Sequence, residues 1–337
     1  MISYALLITI SIGFFITLFT IPIWIKRAKQ VGLIGKDMNK FENKTAVEAG
    51  GISVLLGFTL AILFYVAVNT FYFNRYDNVI QIFSLLCSIL IVGFIGFADD
   101  ILGWKIGLTR NVRLLFLIFA AIPLMVINAG ISTISIPFFG IVEFGLFYPL
   151  ILIPLGIVGT TATFNFLAGF NSLEAGQGII FLSALSIVSY FTGNAWLSVI
   201  LLCMVAALIA FLIFNMYPAK VFPGDILTYP IGALIAISAI LGNFEKIALF
   251  FFIPYIIEVG FKLRGKLKKE SFGKPLKDGT LELKYNKLYG LTHISIYFLK
   301  KIGVKPTEKS VVYAIWTFQI LVILVGFIIF RNGIFLI

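Results

Sequence analysis

Ten stretches of this chain are each long and apolar enough to cross a lipid bilayer, which takes roughly 17–25 mostly apolar residues. They run over residues 3–25, 50–73, 79–98, 112–129, 147–167, 177–193, 195–215, 226–241, 246–262 and 310–331. The stretch 226–241 is the shortest and contains Pro230. The first run is too long, and lacks the small-residue cleavage site, for a removed signal peptide. Charged residues are 12% of the chain, against about 25% in a soluble domain. That excludes a soluble globular enzyme, a disordered chain and a disulfide scaffold. The expected fold class is an all-α polytopic membrane protein of about ten transmembrane helices. No repeat and no Gly/Ser- or Pro-rich linker divides residues 1–337, so they are read as a single membrane-embedded domain.

Cys87 and Cys203 both lie within apolar runs, where a free cysteine acts as a small hydrophobe. There is no CxxC and only one His, so zinc and iron–sulfur sites are excluded. The net charge of +11 raises nucleic acid as a partner, and its distribution dismisses that. Ten spans put both termini on one side. All Lys and Arg except Arg75, Lys246 and Arg331 then fall on the odd-numbered loops, from Lys26–Lys44 in the first to Lys262–Lys309 in the last. Cytoplasmic loops carry the excess of Lys and Arg. Both termini are therefore expected outside and the odd loops inside, with the long loop 263–309 cytoplasmic. The segment 130–146, apolar and turn-rich on the outer side, reads as a short hairpin or an interfacial piece.

Charge at membrane depth is costly and marks function. Four clusters stand out: Glu48-Ala49-Gly50-Gly51 before the second span, Asp99-Asp100 ending the third, Asn165 to Gln177 at the end of the fifth, and Phe222-Pro223-Gly224-Asp225 after the seventh. Singly each is weak. An acid pair can be a solvated helix end, and Pro-Gly-Asp can be a turn whose Asp caps the next helix. All four lie on odd loops or their edges, however, so the topology gathers them at the cytoplasmic face. Hard oxygen donors without imidazole or thiolate suit Mg²⁺ or Mn²⁺, and Lys and Arg nearby suit phosphate. Phosphoryl transfer uses this mixture. A membrane scaffold around it points to a lipid phosphate as one substrate.

In these motifs and their order, the chain resembles the polyprenyl-phosphate N-acetylhexosamine-1-phosphate transferases, the glycosyltransferase 4 superfamily. The resemblance runs nearly end to end. Ala168-Gly169-Phe170-Asn171-Ser172-Leu173-Glu174-Ala175-Gly176-Gln177, Lys277-Asp278-Gly279-Thr280-Leu281-Glu282-Leu283 and the stretch 291–303 are similar to the eukaryotic and archaeal dolichol branch, which transfers GlcNAc-1-phosphate from UDP-GlcNAc to dolichyl phosphate. The resemblance implies roles. Asp225 and Asn165 would ligate Mg²⁺, with Mn²⁺ able to substitute and pyrophosphate oxygens completing the shell. Phe222 would stack on uracil and Asn171 contact it, with Glu174 in the same substrate-binding stretch. Asp99 and Asp100 match the catalytic acid pair, whose first member is often proposed as a base. Arg110, or else Lys105, would reach the pyrophosphate. Glu48 would lie near the nucleotide sugar.

Three positions depart from the family pattern. Ala162 stands where another Asn is common, and Val47 where a Pro usually precedes the acid. The region Lys266–Pro275 lacks the His- and Arg-rich motif that holds the sugar phosphate, leaving Lys268 or Lys269 as substitutes. His293 reads as a structural residue on an amphipathic segment. The expected reaction is transfer of GlcNAc-1-phosphate to a polyprenyl phosphate with release of UMP. A different UDP-N-acetylhexosamine is one alternative and a secondary transporter another; the transporter fits poorly, because the acids gather at one face. A homodimer is compatible with such a chain. The Lys/Ile/Phe-rich composition leans towards an archaeal cell membrane, with the endoplasmic reticulum membrane as the alternative.

Overall fold

The computed structural model describes residues 4–103, 107–136 and 140–335. Helix α1 (Tyr4–Gln30) is followed by a two-stranded antiparallel ribbon, β1 (Ile34–Lys36) with β2 (Thr45–Val47). Helices α2 (Gly51–Phe71) and α3 (Val79–Leu102) come next, then the shorter α4 (Arg110–Phe119) and α5 (Ile122–Val126). The segment read as a hairpin or interfacial piece is a hairpin: β3 (Thr133–Ile136) pairs antiparallel with β4 (Gly140–Glu143). A π-helical turn, Tyr148–Leu152, leads into α6 (Ile153–Phe166). Helices α7 (Leu173–Phe191), α8 (Ala195–Asn215), α9 (Asp225–Gly242), α10 (Glu245–Phe251) and α11 (Ile253–Arg264) follow. The last loop holds β5 (Lys274–Pro275), β6 (Leu281–Glu282) and the amphipathic α12 (Leu291–Lys301), before α13 (Glu308–Ile329) and α14 (Arg331–Phe335).

Among the described residues, eight helices are long and apolar enough to cross a membrane. Two of the ten expected spans, 112–129 and 246–262, are instead broken helices. Each break sits at a proline, Pro123 in the first turn of α5 and Pro254 in the first turn of α11. Proline has no N–H to donate and its ring clashes with the carbonyl of the preceding turn. The doubtful stretch 226–241 is a continuous helix despite Pro230, and it is the most deeply enclosed of the eight.

Helix α9 is the axis of the bundle, packed by α3, α6, α2 and α7, while α1, α2, α7 and α8 form a second group beside it. Large apolar side chains remain exposed along the outer faces of α1 and α13, as expected where the solvent is lipid. Gly96 decides how closely α3 approaches α9. A Cβ at that position would lie 2.5 Å from the Asp225 carbonyl carbon. The end of α3 and the start of α9 therefore meet backbone to backbone, and the acids they carry converge.

Candidate active site

Asp99 and Asp100 sit in the last turn of α3, where the helix dipole disfavours acids. Each is stabilised from outside that helix. Asp100 Oδ1 accepts the backbone N–H of Asp225 at 2.8 Å, and Oδ2 that of Ile226 at 3.1 Å. Gly224 precedes them with φ +71°, and a side chain there would collide with the Asp100 carboxylate. Asp99 Oδ1 accepts the Leu108 N–H at 2.6 Å.

One guanidinium joins the acids. Arg113 Nη1 lies 3.4 Å from Asp99 Oδ2 and 3.5 Å from Asp225 Oδ2, and 3.3 Å from the Tyr229 hydroxyl. Its Nε donates to the Leu108 carbonyl at 2.9 Å, which fixes the fork. Across from Asp225, Asn165 at the end of α6 accepts the Thr228 hydroxyl at 3.1 Å. Thr228 is one turn along α9 from Asp225. Two carboxylates thus share one guanidinium, with Asp100 close by on the same helix end, and this excess of acids over bases suits a cation.

The donor set fits a magnesium-type ion. All its donors are hard oxygens, and among the described residues no three His, Cys, Asp or Glu side chains form a complete cage. Mg²⁺ is usually held by one or two protein oxygens, with water and substrate phosphate as the other ligands. Asp100 fits that role least, because both its oxygens already cap α9.

The first loop and the Phe222–Asp225 loop are zipped together. Phe222 N–H donates to the Val47 carbonyl at 2.7 Å, and the N–H groups of Gly50 and Gly51 donate to the carbonyls of Phe222 and Pro223 at 2.9 and 3.0 Å. Glu48 is carried on this seam beside Ala49, a non-glycine residue at φ +55°. Burial pushes the Glu48 carboxyl up to about 7.

Asn215, at the end of α8, joins this seam to the fifth-span loop. Its Oδ1 accepts the Ser172 N–H at 3.0 Å, and its Nδ2 donates to the Val221 carbonyl at 2.8 Å. It therefore ties the neighbour of Asn171 to the neighbour of Phe222. Glu174, in the first turn of α7, is 3% exposed and turned back under the preceding loop, with Oε1 accepting the Gly169 N–H at 2.6 Å. Its position shapes the loop rather than lining its surface.

The basic residues separate. Arg110, the expected pyrophosphate contact, reaches the Leu267 carbonyl at 3.3 Å and, among the described residues, no acid. Arg113, one helical turn on, is the basic residue that meets Asp99 and Asp225. Lys105 lies outside the described residues. Lys269 stacks over the rings of Tyr285 and Tyr289 at 4.8 and 5.8 Å, and Lys268 is exposed. His293 is fully buried, taking the Tyr289 N–H on Nδ1 at 3.3 Å with Nε2 3.2 Å from the Phe272 carbonyl. Burial lowers its pKa, and the hydrogen bonds make it a strut for the last loop.

Sequence reasoning missed Arg113, Tyr229 and Asn215 as site residues. The first had been counted only as loop charge, and the others sit within apolar runs without a motif.

The sequence model of glycosyl transferase family 4 matches residues 82–243, which include the Asp99-Asp100 end of α3 and the Asp225 start of α9. A protein of Saccharolobus solfataricus, provisionally described as a UDP-N-acetylglucosamine–dolichyl-phosphate N-acetylglucosaminephosphotransferase, is 38% identical across 93% of this chain and 92% of its own. A Sulfolobus acidocaldarius protein with the same description is 35% identical across 94% and 93%. The enzyme of that name from Dictyostelium discoideum is 31% identical across 74% of this chain and 71% of its own. Likeness of that degree, spanning nearly the whole chain and taking in the helix ends that carry the acids, makes this protein a member of glycosyl transferase family 4.

Proposed function

We propose that the protein transfers GlcNAc-1-phosphate from UDP-GlcNAc to a polyprenyl phosphate of the dolichyl type, releasing UMP and leaving GlcNAc-pyrophosphoryl-polyprenol in the membrane. The observation that carries this reading is Arg113 held between Asp99 and Asp225, with Asn165 beside them, at one end of a membrane-spanning bundle. The names of the relatives support the two substrates. The distribution of Lys and Arg supports a cytoplasmic location for that end and both termini outside. The likeness to two archaeal proteins favours a cell membrane over the endoplasmic reticulum.

In the reaction, an oxygen of the lipid phosphate attacks the sugar-linked phosphorus. The new P–O bond forms as the bond to the UMP phosphate breaks, and the electron pair leaves with UMP. A phosphate monoester has its second pKa at about 6, so the nucleophile is largely dianionic at neutral pH and needs little help from a base. Asp99 therefore serves to hold Arg113, whose guanidinium faces the charge that develops on the phosphates. Asp100 sets the position of Asp225 by capping α9. Asp225 and Asn165 would hold Mg²⁺, or Mn²⁺ in its place, and the bound ion would offset pyrophosphate charge. Phe222 and Asn171 would receive the uracil on the loops that Asn215 ties together. Lys268 or Lys269 would approach the sugar phosphate. Because the 266–275 loop carries only lysines there, another UDP-N-acetylhexosamine is the alternative donor.

The test is release of UMP by the purified full-length protein, with polyprenyl phosphate and a panel of UDP-sugars. UDP-GlcNAc is expected to be the preferred donor, and chelation by EDTA or the Asp225→Ala substitution to abolish turnover. Full turnover in EDTA would overturn the metal assignment, and substrate counterflow without UMP release would overturn the reaction.

A further inference from the structure

Lys40 stands at the centre of a buried cluster that no step above uses. Its ammonium pairs with Glu308, the first residue of α13, and lies 3.3 Å from Asp37 Oδ2. Asp37, Lys40 and Glu308 are all nearly inaccessible, so this is an ion triad withdrawn from solvent. Such a group is costly unless its hydrogen bonds are complete. Here they are completed by the loop that carries Asn171. The Asn171 backbone N–H donates to Glu308 Oε1 at 2.7 Å, and its side-chain Nδ2 donates to Asp37 Oδ2 at 3.0 Å. Asp37 has no freedom to turn away, because its Oδ1 accepts the Asn39 N–H at 3.2 Å. Asn39 in turn ties the Gly169 carbonyl, at 2.7 Å, to the Gly273 N–H, at 3.1 Å.

The consequence concerns the Asn171 amide. An asparagine side chain carries a donor end and an acceptor end that differ little in shape, so its orientation is set by its partners. A carboxylate paired with an ammonium accepts hydrogen bonds and offers none. Asp37 therefore dictates that the donor end of Asn171 faces inward, and the acceptor end, Oδ1, faces the other way. Asn171 is 4% exposed, and its Oδ1 makes no hydrogen bond among the described residues. The next residue, Ser172, is held at φ +70° and tied through Asn215 to the carbonyl before Phe222. The lone acceptor thus belongs to the part of the site where an aromatic ring is available for a base.

We infer that Asp37 is a specificity-determining residue that locks the Asn171 amide so that it presents only an acceptor to the nucleotide. That selects a pyrimidine with an imide N–H, as uracil has at N3, over cytosine, whose N3 is itself an acceptor. This rests on the reading above that Asn171 and Phe222 receive the base. Two facing acceptors repel and leave a buried group unpaired, which is where hydrogen-bond discrimination is strongest.

The test is direct calorimetric binding of UMP, CMP and 3-methyluridine monophosphate to the full-length protein. The native protein is expected to prefer UMP over CMP by about tenfold or more, and to bind the 3-methyl compound as poorly as CMP. In Asp37→Asn the neighbouring amide can offer either end, so Asn171 is free to flip. The UMP-to-CMP ratio should then collapse by roughly tenfold. Glu308→Gln is the control: it touches the same loop through the backbone and leaves the side-chain amide facing Asp37, so both affinities should shift together and the ratio should hold. If thermal melting shows Asp37→Asn to be unfolded, Asp37→Ser is read in the same way. An unchanged ratio in the folded Asp37 variant, an equal collapse in Glu308→Gln, or tight native binding of the 3-methyl compound overturns the inference. Native protein that binds none of these nucleotides would instead overturn the reading of the base site itself.

Discussion

Asp100 caps a helix to which it does not belong: from the end of α3 it accepts the N–H of Asp225 at 2.8 Å, closing the first turn of α9. Neighbouring Asp99 has a different task, since its contacts are Arg113 and the Leu108 N–H. Loss of a cap costs about 0.5–2 kcal/mol, so Asp100→Ala should lower the melting temperature measurably and impair turnover through Asp225. Asp99→Ala should lower kcat with little change in melting temperature. The pH profile of Asp99→Asn should keep the native shape, because the nucleophile is already ionised. Disappearance of its acidic limb in that variant would instead identify Asp99 as a general base.

Arg113 and Arg110 are one helical turn apart and should behave differently. Removing a preorganised cation at developing charge costs roughly 10²–10³-fold in kcat, and Arg113→Ala should fall in that range, with Arg113→Lys intermediate. Arg110 makes one exposed contact to a carbonyl, so Arg110→Ala should cost roughly fivefold or less. Steady-state UMP release from the two variants decides between them, and the reverse ranking would return the pyrophosphate contact to Arg110.

Stacking of a base on an aromatic ring contributes about 1–3 kcal/mol, or roughly 5- to 150-fold in affinity. Phe222→Ala should raise the inhibition constant of UMP by that order while leaving KM for the lipid phosphate near its native value. Phe222→Trp should retain much of the affinity. If Phe222→Ala lowers kcat and metal affinity together with no change in UMP inhibition, the ring packs the turn before Gly224 and does not meet the base.

Burial raises the Glu48 carboxyl to about 7 from the 4.5 of the free side chain. The neutral acid is therefore the form the fold prefers. Its contribution to stability is complete below pH 4.5 and is lost as pH rises through about 7, by at most about 3 kcal/mol. Glu48→Gln removes this dependence. Melting curves at pH 5 and pH 8 should show the native protein losing stability relative to Glu48→Gln at the higher pH; parallel behaviour would mean that Glu48 is not held in a desolvated site.

Lys277 is exposed in the last loop. In a background without Cys87 and Cys203, a membrane-impermeant maleimide should label Lys277→Cys in inverted vesicles and fail to do so in right-side-out ones. The opposite result would turn the whole protein over in the membrane.

Much of the architecture was legible because membrane insertion is governed by local quantities. Span length is set by bilayer thickness and orientation by the Lys and Arg of the flanking loops, so a window along the chain suffices. Counting loops then brought Glu48, Asp99, Asp100, Asn165, Asn171, Phe222 and Asp225 to one face, and the structure ties these segments together through the Val47–Phe222 seam, Asn215 and the Asp100 cap. The breaks at Pro123 and Pro254 were visible as prolines, but proline also occurs inside the unbroken α9, and neighbouring helices decide which outcome holds. Arg113 could not be told from Arg110 because the choice depends on how α4 is rotated against α3 and α9. The triad of Asp37, Lys40 and Glu308 joins residues from the first and last loops, and nothing in either loop alone marks that meeting. What the sequence determined by itself was the eight continuous spans and the gathering of the acids at one end of them, since both follow from which single segments transfer into lipid. Tertiary structure alone decided which cation meets which acid and which way each amide points, because those depend on the approach of groups distant in the chain to within about 3 Å.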